Sequence, residues 1–388
     1  MRPVTTPATA RTGARAPAPP FAEEHEEFRG ELRAWLDAEL RPHVAEWERD
    51  ERFDVAVYRR LAERGWLGLT YPREYGGAGK DAVYGAVFSE ELARCGSGGL
   101  AAGIGAHVGI ALPPVLRFGT EEQRRRWLVP GLRAEKIAAL AITEPGAGSD
   151  VASIRTRADR VDGGWLGNGE KTFITNGVRA DIYVTALRTT PEGGHHGTSF
   201  LVIERGEGVT ASALHKLGWH ASDTAAVAFQ DVFVPEDHLL GEENRGFHLI
   251  MANFQGERLG MALVALGEMR ESFDRTLARL RERDHVSQSA RHRMAELAVS
   301  VETVAAITYN TLRLMMQGTN AVQEVSMAKL LSQRANVRLQ EECIYLLGVE
   351  GALAENGFER ALRDARLGPI GGGTDEIMKE ILGRSLGL

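Results

Sequence analysis

The chain has 388 residues, enough for two or three domains or one large composite fold with an ample core. Its 43% hydrophobic and 26% charged residues are those of a soluble globular protein. A net charge of -7 argues against nucleic acid or an anionic membrane as the main partner.

No apolar run approaches the roughly 20 residues needed to cross a bilayer. The two cysteines, Cys95 and Cys343, stand far apart and imply neither a disulfide framework nor a metal cluster. They fit a reducing compartment, so a cytoplasmic protein is expected. The opening "MRPVTTPATARTGARAPAPP" is rich in Pro, Ala, Thr and Arg, without helical or strand period. No apolar signal core follows its arginines, and residues 1–20 read as a disordered extension.

From Phe21 to Ile137 the pattern is helical. Phe28, Leu32, Trp35 and Leu36 recur at helical spacing and predict one apolar face. Thr120, followed by Glu121 and Glu122, predicts an N-cap with acids in the first turn. The texture changes over residues 138–245, where "DIYVTALRT", "TSFLVIERG" and "TAAVAFQDVFVP" are short, β-branched and separated by turn residues. "VDGGWLGNGEKTFITNG" reads as a hairpin with Gly and Asn at its turns. From Gly246 to the end the helical pattern returns. Met294, Leu297, Val301, Val304, Ile307 and Leu312 form a long apolar stripe suited to core or oligomer packing. The fold class expected is α+β: an N-terminal helical domain (21–137), a middle antiparallel β domain (138–245) and a C-terminal helical bundle (246–388).

Two segments carry chemistry. In "AITEPGAGSD" an apolar run turns abruptly into a Gly/Pro loop. Gly146 and Gly148 allow close backbone approach, and Thr143 and Ser149 offer hydroxyls. Such a loop can cradle a pyrophosphate or a flat heterocycle, and a surface turn explains it about as well. In "EKTFITNG", Phe173 and Thr175 alternate with Ile174 and would share one face of a strand. They suit either a flat cofactor or an ordinary cross-strand pair.

Together with "FGTEEQRRRWL", "KLGWHASDTAAVAFQDVFVP", "LLGEENRGF" and "RDARLGPIGGGTDEIMKEI", these segments resemble the acyl-CoA dehydrogenase family. The similarity runs from near Glu23 to the end, and "TEPGAGSD" and "GTDEIM" are its most specific parts. The resemblance implies the same helical, β and helical order, and bound FAD. It implies that Ile142, Thr143 and Ser149 line the flavin and its phosphates, with Ser149 also near the acyl thioester. Phe173 and Thr175 would lie against the isoalloxazine ring, Phe173 where the family usually has Trp.

The family's reaction takes a proton from the α-carbon of an acyl thioester while a hydride passes from the β-carbon to flavin N5. Many members carry the base just before the Gly-Thr of the C-terminal motif, where this chain has Gly372. A subset resembling long-chain and isovaleryl-type dehydrogenases carries it in a "QERL" context after a "GEENKGF"-type segment. Here "GEENRGFHLIMANFQGERLGM" puts Glu257 at that position, followed by Arg258. On a helix Glu257 shares a face with Ile250, Gly260 and Met261, which would partly desolvate it. A helical Glu paired with a neighbouring Arg is the plain alternative. Thr374 reads as a helix cap followed by Asp375 and Glu376, and by resemblance Thr374 and Glu376 touch the flavin. Arg258, Gly372 and Gly373 are the substrate-side candidates, with Ser149. His195 and His196 sit in a Gly-rich loop without a ligand cluster, and no metal is expected.

Family segments for the adenosine end of FAD, partly across a subunit interface, are altered here. Arg283 and Gln288 can be matched, but Val286 replaces a Phe, Tyr345 a Gln and Val349 a Gly. Valine resists positive φ and close backbone approach. The expected function is an FAD-dependent dehydrogenase of acyl thioesters, on coenzyme A or an acyl carrier protein, giving the 2,3-enoyl thioester. The alternatives are a flavin monooxygenase of the same fold and a non-catalytic partner subunit. Electron-transfer flavoprotein or another acceptor would take the electrons, and a homo- or hetero-oligomer, dimer or tetramer, is expected.

Overall fold

A computed structural model describes residues 20–191 and 196–388. Apart from Pro20, the expected extension at 1–20 lies outside the described residues, as does His195.

The chain opens with helices. Helix α1 (Glu23–Glu39) buries Phe28, Leu32 and Leu36, with Trp35 packed half-buried beside them. Helix α2 (Ala82–Ala93) is capped by Asp81, whose carboxylate accepts from the amides of Val83 and Tyr84. Helix α3 (Gly98–Phe118) includes a π-helical stretch at Ala106–Ala111. Its mean hydropathy of 1.6 and its 21 residues are enough to cross a membrane, contrary to the sequence expectation. In this fold 61% of its most apolar window is buried inside the protein, as in a core helix. The Thr120 cap is present as a reciprocal pair: Thr120 Oγ1 accepts from the Gln123 amide, and Gln123 Oε1 accepts from the Thr120 amide.

Eight strands follow: β1 (Ala138–Ala141), β2 (Arg157–Val161), β3 (Gly164–Ile174), β4 (Ile182–Arg188), β5 (Thr198–Glu204), β6 (Val209–Ala213), β7 (Ala225–Pro235) and β8 (Leu239–Leu240). They make one sheet in the order β6-β7-β3-β2-β4-β5-β8, with β1 on β4. β2 and β3 form the expected hairpin, turning at Gly163 with φ +74°. The sheet is mixed, because β1 runs parallel to β4, as does β2 where Arg157 meets Arg188. Sequence alternation gives no strand direction, so parallel pairing was invisible there.

Five helices of eight residues or more complete the described chain: α4 (Gly246–Arg281), α5 (Gln288–Met316), α6 (Val322–Leu347), α7 (Phe358–Ala365) and α8 (Asp375–Ser385). The predicted stripe on α5 is buried at Met294, Leu297, Val301, Val304 and Leu312, and half-buried at Ile307. Helix α4 is the spine of the fold. It puts Leu249 and Ile250 in a core shared with β1 and α3, and Leu259 and Leu263 in the N-terminal helical core. Leu266, Met269 and Leu280 then enter the core of the C-terminal bundle. Ion pairs fasten α4 to the first helices: the buried Glu90 carboxylate accepts from Arg29 at 3.0 Å and from Arg270 at 2.7 Å.

Two polar joints hold the parts in register. At the first, the buried Asp364 carboxylate of α7 accepts from the Gly98 amide at 3.0 Å and the Trp219 amide at 2.5 Å. Burial and the nearby Glu48 carboxylate push Asp364 up to about 7. Gly98 has no alternative, since a Cβ there would lie 2.6 Å from the Trp219 ring. At the second, buried Asn176 adopts φ +64° just beyond β3. Its Nδ2 donates to Gly103 O at 2.8 Å, and its Oδ1 accepts from Tyr58 at 3.0 Å.

Asn tolerates left-handed backbone better than Ala, and both of its bonds are buried. Asn176→Ala should therefore lower the unfolding free energy by about 3 kcal/mol, read by urea denaturation. A loss below about 1 kcal/mol would mean that this joint contributes little.

Candidate active site

Two groups of side chains are tied to the first half of α4, the first through the core that Ile142 shares with Leu249 and Ile250. One comes from the loop after β1 and the end of β3, the other from α4 itself and the turn before α8.

The loop "TEPGAGSD" is stapled to β3. Lys171 is fully buried, an exception among lysines. Its Nζ donates to Ile142 O at 2.9 Å and to Glu144 Oε1 at 2.8 Å. The Glu144 carboxylate also accepts from the amides of Arg155 and Thr156, and Thr143 O accepts from the Thr172 amide. Lys171 holds the Glu144 carboxyl below its ordinary range despite the burial that opposes it, and burial lowers Lys171 to about 8. Ile142 is buried in one core with Ile250, against which Phe254 packs. Thr143 is half-buried and Ser149 exposed. A Cβ added at Gly146 would meet nothing within 4 Å, so the loop presents bare backbone to open space.

At the end of β3 the register against β7 slips between Lys171 and Ile174. Phe173 takes φ +58° there, and its ring is 68% exposed. Phe173 is exposed, Ile174 buried and Thr175 half-buried, as the expected alternation has them, but β3 ends at Ile174 beside a register shift, so Thr175 lies beyond the strand. An outward aromatic ring beside an open, hydroxyl-bearing glycine loop fits a flat cofactor with a phosphate tail.

The second group centres on Glu257. It is half-buried on α4, between the cores entered by Ile250 and Leu259. Burial pushes its carboxyl up to about 7, while the positive charges of Arg258 and Lys329 pull the other way. Facing it is the glycine turn. Gly372 has φ +61° and Gly373 φ +94°, conformations that favour glycine. A Cβ built on Gly372 would lie 3.5 Å from Glu257 Oε1 and 2.2 Å from Met261 Sδ. The missing side chain and the carboxyl of Glu257 thus border the same space, and Met261 fills the part next to the glycine.

Arg258 is buried, its guanidinium 5.3 Å from the Phe254 ring centre, and burial lowers its pKa. Its Nε has no hydrogen-bond partner among the described residues. The plain alternative for Glu257, a helical salt bridge with a neighbouring Arg, is not among the ion pairs of the described residues. Thr374 caps α8 as expected, accepting from the Ile377 amide, and Glu376 is exposed on its first turn.

Arg283 and Gln288 are not brought to this site. Arg281, the end of α4, lies about 36 Å along the helix from Glu257. Just beyond it, Arg283 donates to Leu346 O and Leu347 O, and Gln288 is exposed at the start of α5. The strain expected at Val349 is absent, because the positive φ of +65° belongs to Gly348 and Val349 begins a short helix. Tyr345 and Val349 are both exposed. His196 is exposed, and no group of three metal-binding side chains occurs among the described residues.

Sequence reasoning missed Lys171, Glu144 and Lys329, and it placed Met261 beside Glu257 without seeing that it fills the space at Gly372. The one signal available was a lysine that, with Glu170 before it, interrupts the otherwise apolar or neutral run of β3. The others become visible only when distant segments meet.

Comparison with known proteins accounts for this arrangement. Sequence profiles of the acyl-CoA dehydrogenase N-terminal, middle and C-terminal domains match residues 22–135, 139–232 and 244–387. The chain is 35% identical to mouse long-chain specific acyl-CoA dehydrogenase over 378 residues, covering 94% of this chain and 87% of the relative. It is 32% identical to potato isovaleryl-CoA dehydrogenase over 376 residues, covering 94% and 91%. The crystal structure of acyl-CoA dehydrogenase from Geobacillus kaustophilus superposes with a TM-score of 0.93 at 37% identity, covering 96% of this chain and all of the other. An FAD complex of PigA does so with a TM-score of 0.91 at 25% identity, covering 95% and 98%. The chain belongs to the acyl-CoA dehydrogenase family, whose members are FAD-dependent oxidoreductases acting on CH-CH bonds.

Proposed function

We propose that this chain dehydrogenates an acyl thioester with Glu257 as the base that takes the α-proton. The observation that carries this reading is the pairing of Glu257 with the side-chain-free turn at Gly372, 3.5 Å from the carboxyl to the would-be Cβ. Removing a proton from a weakly acidic C–H calls for a carboxylate poised near neutral pH in a dry site. A carboxyl pushed up to about 7 meets that need. An enzyme that inserted oxygen would have no use for it.

Ile142, Thr143, Ser149, Phe173 and Thr175, with Thr374 and Glu376, would hold FAD, which when bound would supply the acceptor for the β-hydride. The chain's own residues do the rest. Ile142 and the buried Lys171–Glu144 pair hold the loop rigid, and Phe173 offers a flat apolar face. The backbone of Gly372 and Gly373 would face the acyl chain's reacting carbons beside Glu257, with Met261 and Met378 filling the space their missing side chains leave. Arg258, with Nε unpartnered, is the polar contact on the substrate side. Arg283 and Gln288, remote from the base, would serve FAD bound mainly by a second copy in an oligomer.

We also infer a reducing, cytoplasm-like compartment, since Cys95 and Cys343 are buried free thiols. Electron-transfer flavoprotein is the acceptor we favour. A chain of a structure described as electron transferring flavoprotein of Acidaminococcus fermentans shares the fold at 29% identity and a TM-score of 0.91, covering 95% of this chain and 99% of that one.

The test is anaerobic mixing of the flavin-loaded protein with acyl thioesters. Oxidised flavin should bleach in wild type and at least ~1000-fold more slowly in Glu257→Gln. Equal bleaching rates would sink the assignment. Oxygen appearing in the product would favour a monooxygenase, and flavin bound only with a second, different chain would favour a partner subunit. In wild type the rate should rise with pH through about 7, as Glu257 ionises.

The same group has a stability signature. Its folded pKa lies above the unfolded value, so it costs stability as pH rises through that window. Glu257→Gln should thus melt higher than wild type at pH 8 and alike at pH 4. Gly372→Ala should slow bleaching and lower stability by about 1–3 kcal/mol, because its Cβ meets Met261 and its φ is left-handed. Wild-type behaviour of this variant would mean that the turn is not tightly set.

A further inference from the structure

Helix α6 sends three polar side chains, one or two turns apart, into the interface with α4 and the glycine turn. Lys329, fully buried, donates from Nζ to Gly373 O at 2.5 Å. Gln333 Nε2 donates to Met261 O at 2.9 Å, and Asn336 Nδ2 donates to Glu268 Oε2 at 2.6 Å. One turn of α6 thus grips both elements that frame the base, the glycine turn through Lys329 and the backbone at Met261 through Gln333. Gly368 makes room for this residue, since a Cβ there would stand 1.8 Å from Gln333 Oε1. Nearby, Arg334 Nε donates to Asp375 Oδ2 at 2.6 Å and fixes the start of α8.

A buried ammonium is expensive, and a Met of the same length would fill the space without that cost. A lysine here therefore calls for a use of its charge. We propose that Lys329 is a positioning residue for the reaction: it fixes the glycine turn opposite Glu257, and its charge sets the pH at which Glu257 becomes a base. This rests on the reading of Glu257 as the base.

The charges that act on Glu257 come from two elements. Arg258 lies next to it on α4, and Lys329 faces it from α6. Both stand by the turn: the Arg258 guanidinium lies 3.6 Å from where a Cβ on Gly373 would be. Lys329 is the one that hydrogen-bonds the turn's backbone, at Gly373 O, so turn geometry and base strength are coupled through it. Asp375 and Glu376 of α8 favour the charged form of Lys329, as Glu257 does, while burial and Arg258 oppose it. Burial is the largest influence and lowers Lys329 to about 8. Positive charge beside a carboxyl favours its ionised form, so losing Lys329 must move Glu257 to higher pH.

The experiment is an infrared titration of the Glu257 carboxyl in flavin-loaded, substrate-free protein. Each variant is read as a difference against the same protein carrying Glu257→Gln. In Lys329→Met the midpoint should rise by about one pH unit, while Lys329→Arg, which keeps charge and donor, should match wild type. Lys329→Gln, neutral but still a donor, should rise with the Met variant and serves if that variant does not fold. The acidic limb of the bleaching rate should move with the midpoint. A midpoint unmoved in the Met and Gln variants, or moved equally in all three, overturns the proposal. The titration reads Lys329 even if Glu257→Gln bleaches normally, so failure of the base assignment would be seen separately.

Discussion

The site depends on one constraint: a carboxyl must be kept short of water without being paired. Paired with a cation at close range it would be a poor base, and left in solvent it would be ionised but weak. Glu257 avoids both because α4 passes through three cores, which leaves it half-buried among them and in no ion pair of the described residues. The surroundings follow from that placement. A side chain at 372 would compete for the same space, so the turn is bare and left-handed, and Met261 takes up the volume next to it. The cost of such a turn is met by anchoring its carbonyl and the helix that follows.

The opposite wall is built on a different principle. The loop after β1 is fixed by charge, a fully buried lysine meeting a carboxylate that also accepts two amides. An ion pair so enclosed adds little net stability against an apolar substitute, but it specifies one geometry. The bulge at Phe173 adds a second local cost, a non-glycine residue in left-handed backbone with its ring in solvent. Both costs fall on the wall where a flat cofactor would lie, while the apolar residues nearby remain ordinary core.

Much of this was legible in the residues. Helical period marked α1 and the stripe on α5, and the caps at Thr120 and Thr374 stand where their hydroxyls predicted. The contrast between Gly372 and Glu257 pointed to Glu257 as the proposed base because the family resemblance marks both positions locally, a missing acid in one motif and an added one in another. What escaped depends on contacts across the chain. Nothing in the sequence around Lys329 says that its amine will reach Gly373, and Lys171 reads as one more lysine until Glu144 is opposite it. At Phe173 the faces alternate as expected, but the register shift and the strand's end at Ile174 escaped, because a bulge leaves no mark in the hydrophobic pattern. Arg283 and Gln288 match a motif, yet a helix of 36 residues carries them away from the base.

The joint at Asp364 has a bearing on how the chain can be cut. This carboxylate holds the first amide of α3 and the backbone of Trp219 at once, so the C-terminal helices are fasteners for segments made hundreds of residues earlier. A ribosome that has not yet delivered α7 has released an N-terminal half whose α3 lacks its anion and whose β-region loop has nothing to close on. Proteolytic clipping before α7 would undo the same two places together. The last two dozen residues before α8 thus complete the first half of the protein as much as the second, and folding of the whole must wait for them.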